Sequence, residues 1–574
     1  MAMRFSRLAE YFESIEQTSS RLEMTRILSD LFKEADRDEI AQILYLLQGR
    51  VAPLYEKVEF NMGEKMVIKA SARAVGVELN VFTTLFKKKG DIGVAIEELK
   101  KQASTLFSKD LSILDVFNQL GRLADSSGVG SQDLKISILS GLIQELDPLS
   151  CRFVVRIPIN KLRLGFSDVT ILDGFSWMLK GDKSLRGVIE KAYHVRPDIG
   201  FIGKTIKESS EKGLTHVKPA VFTPILMMRA ERLADPKDIF EKVPEGIIEE
   251  KYDGFRLQIH ANKSGVKLFS RSLENVTEMY PDIVLAISTE IKYKNIIIEG
   301  EAVGYSTKTG KLLPFQETVQ RKRKYDIEAK SKEIPLRLFV FDLLYLNGKS
   351  LIDEPLKHRR ELLSGLVKNT AKNTLNLAPE TIARAPEDIK KSFLKSIEDN
   401  LEGIMVKKPD GAYQPNARNW NWIKYKKSYA TKVEDTIDCL VMGYDFGQGK
   451  RSGFGIGALL IGVYDGQKDV FKTVSKLGTG LTDIEWREVK KLCDQSLSKK
   501  KPLNYSVDKQ MAVDVWVKPS IVLEIRSDEI TKSPMHTAHL ALRFPRLERL
   551  RDDKRPDDVT TIEEVEQLFK LQNR

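Results

Sequence analysis

A lysine beside an acidic residue and a glycine is the first place where this sequence could do chemistry. Residues 251–254 read Lys-Tyr-Asp-Gly, a KxDG motif, and Arg256 follows two positions later. A lysine with its ordinary pKa of about 10.4 is about 99.9% protonated near pH 7, so it is a poor nucleophile. Neighbouring cations and partial desolvation would lower the pKa of Lys251 and activate it. Taken alone, the motif is better explained by an exposed lysine beside an Asp-Gly turn.

Further chemically interesting motifs follow the lysine in order along the chain. They are Ser270-Arg271, Glu299-Gly300-Glu301, Phe341-Asp342, Glu402-Gly403, Arg418 and the segment WIKYKK with Lys424 and Lys426. In an extended segment, the ammonium groups of Lys424 and Lys426 would point to one side, lower the pKa of a nearby lysine and hold phosphoryl charge. Without the other motifs, solvated lysines on a surface strand explain WIKYKK better.

Glu301 and Glu402 are the candidates for holding a metal ion beside phosphate groups. Mg²⁺ takes oxygen ligands and keeps several waters, so two carboxylates would suit it, with Mn²⁺ as an alternative. Ordinary ion pairs are the competing explanation of both glutamates. A protein-built zinc site is not expected, because the three cysteines are widely separated and cannot form a four-cysteine site.

Three regions of the chain, each with its own sequence pattern, must position these residues. Residues 1–217 read as helical, with apolar residues at spacings that a helix brings to one side: Leu8, Phe12, Ile15, Leu22 and Ile27. Residues 218–430 contain apolar, β-branched and aromatic runs typical of buried strands, such as NIIIEGEAVGY and LRLFVFDLLYL. In residues 431–574, short strands alternate with Gly-rich turns before a terminal helix. We predict an all-α domain, an α/β (α+β) domain and a small β-barrel domain.

The composition is that of a globular protein with a modest basic excess. The chain has 574 residues, 30% of them charged, and a formal net charge of +11. A polyanionic partner and a solvated basic surface explain this excess about equally well. The charged N-terminal stretch does not resemble a signal peptide, and no apolar run approaches the roughly 20 residues of a membrane helix. We therefore expect a cytoplasmic protein with no membrane partner.

The ordered motifs KxDG, SR, EGE, FVFDLL, EGIMVK and WIKYKK resemble the covalent nucleotidyltransferase superfamily of ATP-dependent ligases and mRNA capping enzymes. The whole chain resembles the archaeal-type ATP-dependent DNA ligases, which are related to the eukaryotic replicative ligase. Residues 131–168 are similar to that family's N-terminal DNA-binding domain, and residues 533–558 to its C-terminal motif VI region. The resemblance implies an adenylation domain over 218–430 and an OB-fold with a C-terminal helix over 431–574.

The resemblance also implies an activity. Such a protein uses ATP and Mg²⁺ to seal nicks in double-stranded DNA during replication, repair and recombination, through lysyl-AMP and DNA-adenylate intermediates. It would work as a monomer associated with the nucleoid. The residue roles that the resemblance implies are Lys251 as nucleophile, Glu249 and Phe341 at the adenine, Arg256, Arg271 and Arg418 at ribose or phosphate, Glu301 at the ribose instead of the metal, and Arg551 and Lys554 at the pyrophosphate of the first step.

Three segments outside the adenylation domain also carry predictions. By resemblance, Lys161, Arg163 and Gly165 lie near DNA, where contacts would be to phosphates and sensitive to salt. Residues 102–107 faintly resemble a peptide that binds a sliding clamp, although a surface helix-loop explains them better. The basic loop 447–457 could follow a phosphate backbone, or could be a simple hairpin loop. Hinges are expected near 218–245 and 428–435.

Other classes of protein fit less well. A capping guanylyltransferase or RNA ligase shares KxDG and the two-lysine motif but lacks the long helical N-terminal domain. An NAD-dependent ligase normally carries a four-cysteine zinc module. A non-catalytic DNA-binding clamp would have lost a catalytic residue, whereas every motif position here is filled. By resemblance, ADP, GTP and NAD are the alternative donors to ATP.

Overall fold

The computed structural model describes residues 2–18, 20–102, 109–162, 164–323, 325–370, 373–426, 436–447 and 454–572. The chain divides into two compact units, Met1–Arg232 with Pro236–Lys424, and Leu233–Asp235 with Tyr425–Arg574. Arg163, residues 103–107 of the predicted clamp-binding segment, the predicted hinge 428–435 and residues 448–453 of the basic loop lie outside the described residues. Within the described ranges, no helix is both long and apolar enough to cross a membrane.

The first unit begins with a helical region. Its helices are Phe5–Glu16 (α1), Arg21–Glu34 (α2), Ile40–Leu47 (α3), Glu64–Val75 (α4), Leu79–Lys89 (α5), Ile92–Gln102 (α6), Ile113–Asp125 (α7), Ser131–Glu145 (α8), Pro148–Val154 (α9), Asp168–Lys180 (α10), Arg186–Val195 (α11) and Ile199–Leu214 (α12). Ser20 caps α2 by accepting a hydrogen bond from the Glu23 amide. The helix is interrupted here, because α1 ends at Glu16 and α2 begins at Arg21. Leu22 therefore does not continue the apolar face of α1 and is 45% exposed.

The middle region of the first unit contains two sheets and the helices that cover them. Its strands are Arg229–Arg232 (β1), Ile247–Lys251 (β2), Phe255–Asn262 (β3), Gly265–Ser270 (β4), Asn295–Gly304 (β5), Leu336–Leu346 (β6), Lys349–Ser350 (β7), Leu375–Leu377 (β8), Glu380–Ile382 (β9), Gly403–Lys407 (β10) and Arg418–Lys426 (β11). Its helices are Pro236–Lys242 (α13), Pro281–Glu290 (α14), Phe315–Thr318 (α15), Ile327–Glu333 (α16), Leu356–Leu366 (α17) and Pro386–Glu398 (α18).

The two sheets meet at the predicted motifs. One sheet has the order β1-β11-β10-β2-β9, and the other has the order β4-β3-β5-β6-β7, with β8 beside β6. Strand β6, predicted as a buried apolar run, alternates in burial over its first half: Leu338 and Val340 are buried in one core, while Phe339 and Phe341 on the other face are half-buried. Apolar packing on one face of the sheet therefore supports the strands that carry the motifs.

The second unit is built mainly from a sheet. Its strands are Ile437–Asp445 (β12), Ala458–Asp465 (β13), Val470–Leu477 (β14), Leu497–Ser498 (β15), Tyr505–Ser506 (β16), Val515–Val517 (β17), Val522–Arg526 (β18), Glu529–Lys532 (β19), Leu540–Arg543 (β20) and Arg546–Leu550 (β21). Helices Asp483–Gln495 (α19) and Ile562–Gln572 (α20) accompany them. Eight strands form one sheet, and β19 pairs with β20. The C-terminal sheet domain is confirmed, whereas a closed OB-fold barrel remains a prediction.

Candidate active site

Lys251 ends strand β2 and faces a glutamate from the neighbouring strand. In the antiparallel pair of β2 and β10, Lys251 lies opposite Gly403, and the Glu402 amide donates a 3.1 Å hydrogen bond to the Lys251 carbonyl. The Glu402 carboxylate forms an ion pair with the Lys251 ammonium group. The two side chains are only 21% and 24% exposed. The backbone pairing thus fixes the carboxylate beside the amine.

The surroundings of Lys251 favour its neutral, nucleophilic form. Burial is the main cause that lowers the pKa of Lys251 below its ordinary value, and the positive charges of Arg256 and Arg271 act in the same direction. The carboxylates of Glu301 and Asp253 oppose them by favouring the ammonium. The net result is a lowered pKa, as a nucleophilic lysine requires.

Glycine is required as the last residue of the KxDG motif because two backbones come close there. A Cβ atom on Gly254 would lie 2.3 Å from the Ala302 carbonyl oxygen and 2.9 Å from Val303 Cγ2. Gly254 therefore allows the turn from β2 to β3 to lie against β5. On β5, Glu301 is paired in register with Arg256, which brings its carboxylate near Lys251. The KxDG spacing thus reflects this backbone approach.

Glu301 is a carboxylate whose raised pKa lies close to neutral pH. Burial is the largest cause that raises the pKa of Glu301 to about 7, and Asp253 adds to it. Lys251, Arg256 and a hydrogen bond from the Gly254 backbone act in the opposite direction. A cation or a hydroxyl group placed beside Glu301 would favour its ionised form.

Positively charged side chains collect around Lys251 from several strands. The pKa of Lys424 on β11 is lowered to about 8, first by burial and then by Arg232, Lys251, Arg271 and Arg418. Strand β1 runs parallel to β11 and places Arg232 opposite Lys424. Such a group of cations would attract a polyphosphate. Lys426 lies two positions further along β11 and belongs to the second compact unit.

Glu249 and Phe341, the residues expected near adenine, meet at a buried lysine. Lys407 Nζ lies 2.5 Å from Glu249 Oε2 and 4.4 Å from the centre of the Phe341 ring. The other carboxylate oxygen of Glu249 is buried and accepts no hydrogen bond from the described residues. Arg360 Nη1 stands 3.6 Å from it. Lys407 was missed in the sequence, although a lysine ending the apolar strand GIMVK signals a buried charge that needs a partner.

Arg256 is held by the protein itself. Its guanidinium group donates 2.7 and 2.8 Å hydrogen bonds to the Glu299 carboxylate and the Met228 carbonyl. Glu299 is fully buried and also accepts hydrogen bonds of 3.0 Å from Gln258 and Tyr413. The Nε atom of Arg256 has no hydrogen-bond partner among the described residues. This network anchors Arg256 next to Glu301, and its contact with a nucleotide stays a prediction.

The remaining predicted residues divide between the two units. Arg271 and Arg418 are exposed in the first unit, and their charges act on Lys424. Arg551 and Lys554 lie in the second unit, where both bind Asp438, at 3.0 and 2.6 Å. The structure therefore brings Arg551 and Lys554 together at Asp438 within the second unit. In the helical region, Lys161 pairs with Glu64 at 2.5 Å.

The site therefore combines a lysine of lowered pKa, two carboxylates and several cations, the groups that transfer of a nucleotide through a lysine needs. Three family models match successive parts of the chain: "DNA ligase N terminus" over residues 4–176, "ATP dependent DNA ligase domain" over 227–426 and "ATP dependent DNA ligase C terminal region" over 452–554.

Known proteins give the same assignment. A probable DNA ligase of Dictyoglomus turgidum is 44% identical over 100% of this chain and 98% of its own length. The DNA ligase of Saccharolobus solfataricus is 39% identical over 99% and 98%. A solved chain described as Pmar-Lig_PreS3 is 16% identical, with a TM-score of 0.54 over 95% of this chain and 99% of that one, and so shares the fold. The chain belongs to the ATP-dependent DNA ligase family.

Proposed function

We propose that this protein seals nicks in double-stranded DNA with ATP, by way of an AMP group carried on Lys251. The observation that carries the proposal is the amine of Lys251, whose pKa is lowered and which faces Glu402 in a chain with all three ligase regions. In the first step, the neutral amine forms a bond to the α-phosphorus and the bond to pyrophosphate breaks. The AMP then passes to the 5′-phosphate of the nick, and the 3′-hydroxyl displaces it.

The cations of the site serve the phosphate groups. Lys424, Arg271 and Arg418 would stabilise the charge that develops on the α-phosphate, because fixed charges need no rearrangement during the reaction. The planar guanidinium groups of the two arginines suit two-point contacts with phosphate oxygens. By family resemblance, Arg551 and Lys554 orient the pyrophosphate, and Lys426 joins Lys424 at the phosphates.

The base would be recognised by Glu249 and Phe341. The buried oxygen of Glu249 that accepts no hydrogen bond from the described residues suits a hydrogen bond from the exocyclic amino group of adenine. Phe341 offers a half-buried ring for stacking. Guanine has a carbonyl oxygen in place of that amino group, so it would leave this carboxylate without a donor. ATP is therefore the proposed donor.

Glu301 and Glu402 would hold the Mg²⁺ ion, or Mn²⁺ in its place. Within the described ranges, no group of three or more His, Cys, Asp and Glu side chains is arranged to bind a metal ion. Two carboxylates are nevertheless sufficient, because magnesium commonly binds to one or two protein carboxylates plus substrate phosphates and water. When bound, the ion neutralises phosphate charge. Glu301, held near its protonation midpoint, fits either this role or a contact with the ribose.

The rest of the chain would bind the DNA. We propose domains over 1–217, 218–430 and 431–574, the last an OB-fold, that close around nicked duplex DNA as one monomer. The net charge of +11 and the exposed Lys161 beside the left-handed Gly165 suit sequence-independent phosphate contacts. Roles in replication, repair and recombination follow from this activity. A sliding clamp remains a candidate partner.

A sealing assay with matched substrates tests this function. We expect the full chain with ATP and Mg²⁺ to join a nick in duplex DNA, and the Lys251→Arg variant to join none. Replacing the DNA at the nick by RNA, and ATP by ADP, GTP or NAD, shows which acceptor and donor are used. Sealing of RNA alone, or sealing of DNA by Lys251→Arg, would contradict the proposal.

A further inference from the structure

The turn that carries Arg271 is closed at both ends by hydrogen bonds. The Ser270 amide donates to the Glu274 carbonyl at 3.0 Å, and the Leu273 amide donates to the Ser270 carbonyl at 2.9 Å. The Ser270 hydroxyl accepts from the Glu274 amide at 3.2 Å. These bonds make residues 270–274 one stiff turn, so that a shift of one residue moves the others.

Leu273 stands out within this turn because its backbone is unfavourable and its side chain is buried. Its φ is +66°, a left-handed conformation that is unfavourable for a leucine. The side chain is only 5% exposed. A strained residue persists where surrounding contacts hold it, and such strain is often found next to functional sites.

Leu273 reaches the helical region. It lines a cavity of about 340 Å³ whose other described lining residues all belong to that region, among them Tyr45, Arg50 and Leu54. The same two parts of the first unit meet again nearby, where the ring of Tyr55 packs edge-on against Phe269 at 6.4 Å. Tyr55 is itself fixed by a 2.9 Å hydrogen bond to Asp198.

Arg271, two residues before Leu273, directly follows Ser270, which lies opposite Leu257 on β3, the residue after Arg256. Its positive charge lowers the pKa of both Lys251 and Lys424. The charge of Glu301 in turn reaches Arg271. The turn therefore connects the cavity in the helical region with the charged side chains around Lys251.

We infer that Leu273 is a positioning residue through which the helical region sets the place of Arg271 beside Lys251. The inference rests on the proposed function, because lysyl-AMP formation is the reaction in which Arg271 would act. Its consequence is that the DNA-binding region contributes to the first step, before any DNA is bound.

Variants of Leu273 separate the side-chain contact from the backbone strain. Leu273→Asn removes the apolar contact but keeps a residue that tolerates a left-handed backbone. Leu273→Met keeps the apolar volume. Leu268→Ala is the matched control, since Leu268 is equally buried, on the adjoining strand β4, but does not line the cavity. If Leu273→Asn does not fold, Leu273→Ala takes its place.

The readout is single-turnover formation of lysyl-AMP by the full chain without DNA, at several ATP concentrations. We expect Leu273→Asn to lower the maximal rate about tenfold or more, with a smaller change in the ATP concentration at half-maximal rate, because small displacements of a catalytic group are costly. Leu273→Met and Leu268→Ala should stay close to the unaltered protein. In an Arg271→Ala background, Leu273→Asn should have no further effect.

Two results would overturn the inference. One is a folded Leu273→Asn variant with an unchanged rate, and the other is an equal loss in the presence and absence of Arg271. In both cases the unaltered protein still forms lysyl-AMP, so the proposed function stands. Absence of lysyl-AMP in the unaltered protein would remove the function and this inference together.

Discussion

Lys251 lies near the carboxylates of Glu402, Glu301 and Asp253, and its pKa is nevertheless lowered. The reason is that burial of the amine, aided by Arg256 and Arg271, outweighs the attraction of Glu301 and Asp253. A lysine in an ordinary exposed ion pair would show the opposite shift. A lowered pKa increases the fraction of neutral amine, the form that a nucleophilic lysine needs.

Lys424 should give lysyl-AMP formation an upper pH limit. With a pKa of about 8, its ammonium group holds phosphoryl charge below that pH and is lost above it. We expect the single-turnover rate to fall above about pH 8, and Lys424→Ala to lower the rate about a hundredfold near pH 7. Lys424→Arg, which stays charged, should lose the fall at high pH.

The control for the pH profile is Lys263→Arg, an exchange at an exposed lysine of the same region. It should leave both the rate and its pH dependence unchanged. A fall near pH 8 that persists in Lys424→Arg would show that another group titrates there.

Among individual residues, the sequence indicated the reactive ones better than the buried residues that support them. Lys251, Glu301 and Glu402 belong to recognisable motifs, and the structure brings their side chains within electrostatic reach of one another. Lys407 and Tyr413 were missed, because the partners of buried charged groups are distant from them in the sequence. Lys407 meets Glu249, and Tyr413 meets Glu299, only after the sheets have formed.

Strand β3 supports the site through polar side chains on alternate residues. His260 accepts a 3.0 Å hydrogen bond from the Phe222 amide through Nδ1, and its Nε2 lies 2.9 Å from Gln258 Oε1. Gln258 continues to Glu299, which holds Arg256. Because Nδ1 accepts, the proton of the neutral ring is on Nε2, which donates to Gln258. One strand therefore connects the start of the middle region to the active site.

His260 should make folding stability depend on pH. Burial, aided by Lys267, lowers the pKa of His260 to about 3 from its ordinary 6.5, so the unfolded chain binds more protons between those values. The stability supplied by the neutral ring is complete above about pH 6.5 and is lost as the pH falls towards 3. We expect a loss approaching 1.4 kcal/mol per pH unit in this window.

Urea unfolding at pH 7 and pH 5 measures this effect. His260→Gln, which cannot titrate, should show a smaller difference between the two pH values than the unaltered protein. An equal pH dependence in both proteins would show that His260 is not the buried titrating group.

The sequence predicted elements well where one face is buried. The runs that form β5 and β6 were predicted as buried strands, and both are. The first helical stretch was less well predicted, because the Ser20 cap divides it and leaves Leu22 exposed. A capping hydrogen bond of one side chain outweighed a continuous apolar spacing.

The whole molecule distributes the proposed chemistry over two compact units. Arg551 and Lys554 share Asp438 in the second unit, and we propose that they act on pyrophosphate in the first step alone. We expect Arg551→Ala and Lys554→Ala to slow lysyl-AMP formation about tenfold or more. Both should seal a nick that already carries AMP on its 5′-phosphate at close to the unaltered rate.

Arg555→Ala serves as the control for these two variants, since the Arg555 side chain is 81% exposed. It should affect neither step. Equal losses of lysyl-AMP formation and of sealing of the pre-adenylated nick in Arg551→Ala would contradict a role confined to the first step.

The central claim is that Lys251 carries the AMP that seals the nick. The most direct measurement is transfer of label from ATP labelled at the α-phosphate to the full chain with Mg²⁺, beside Lys251→Ala, followed by addition of nicked DNA. We predict label on the unaltered protein alone, and its discharge as the nick is sealed. Label on Lys251→Ala, or label that nicked DNA does not discharge, would contradict the account.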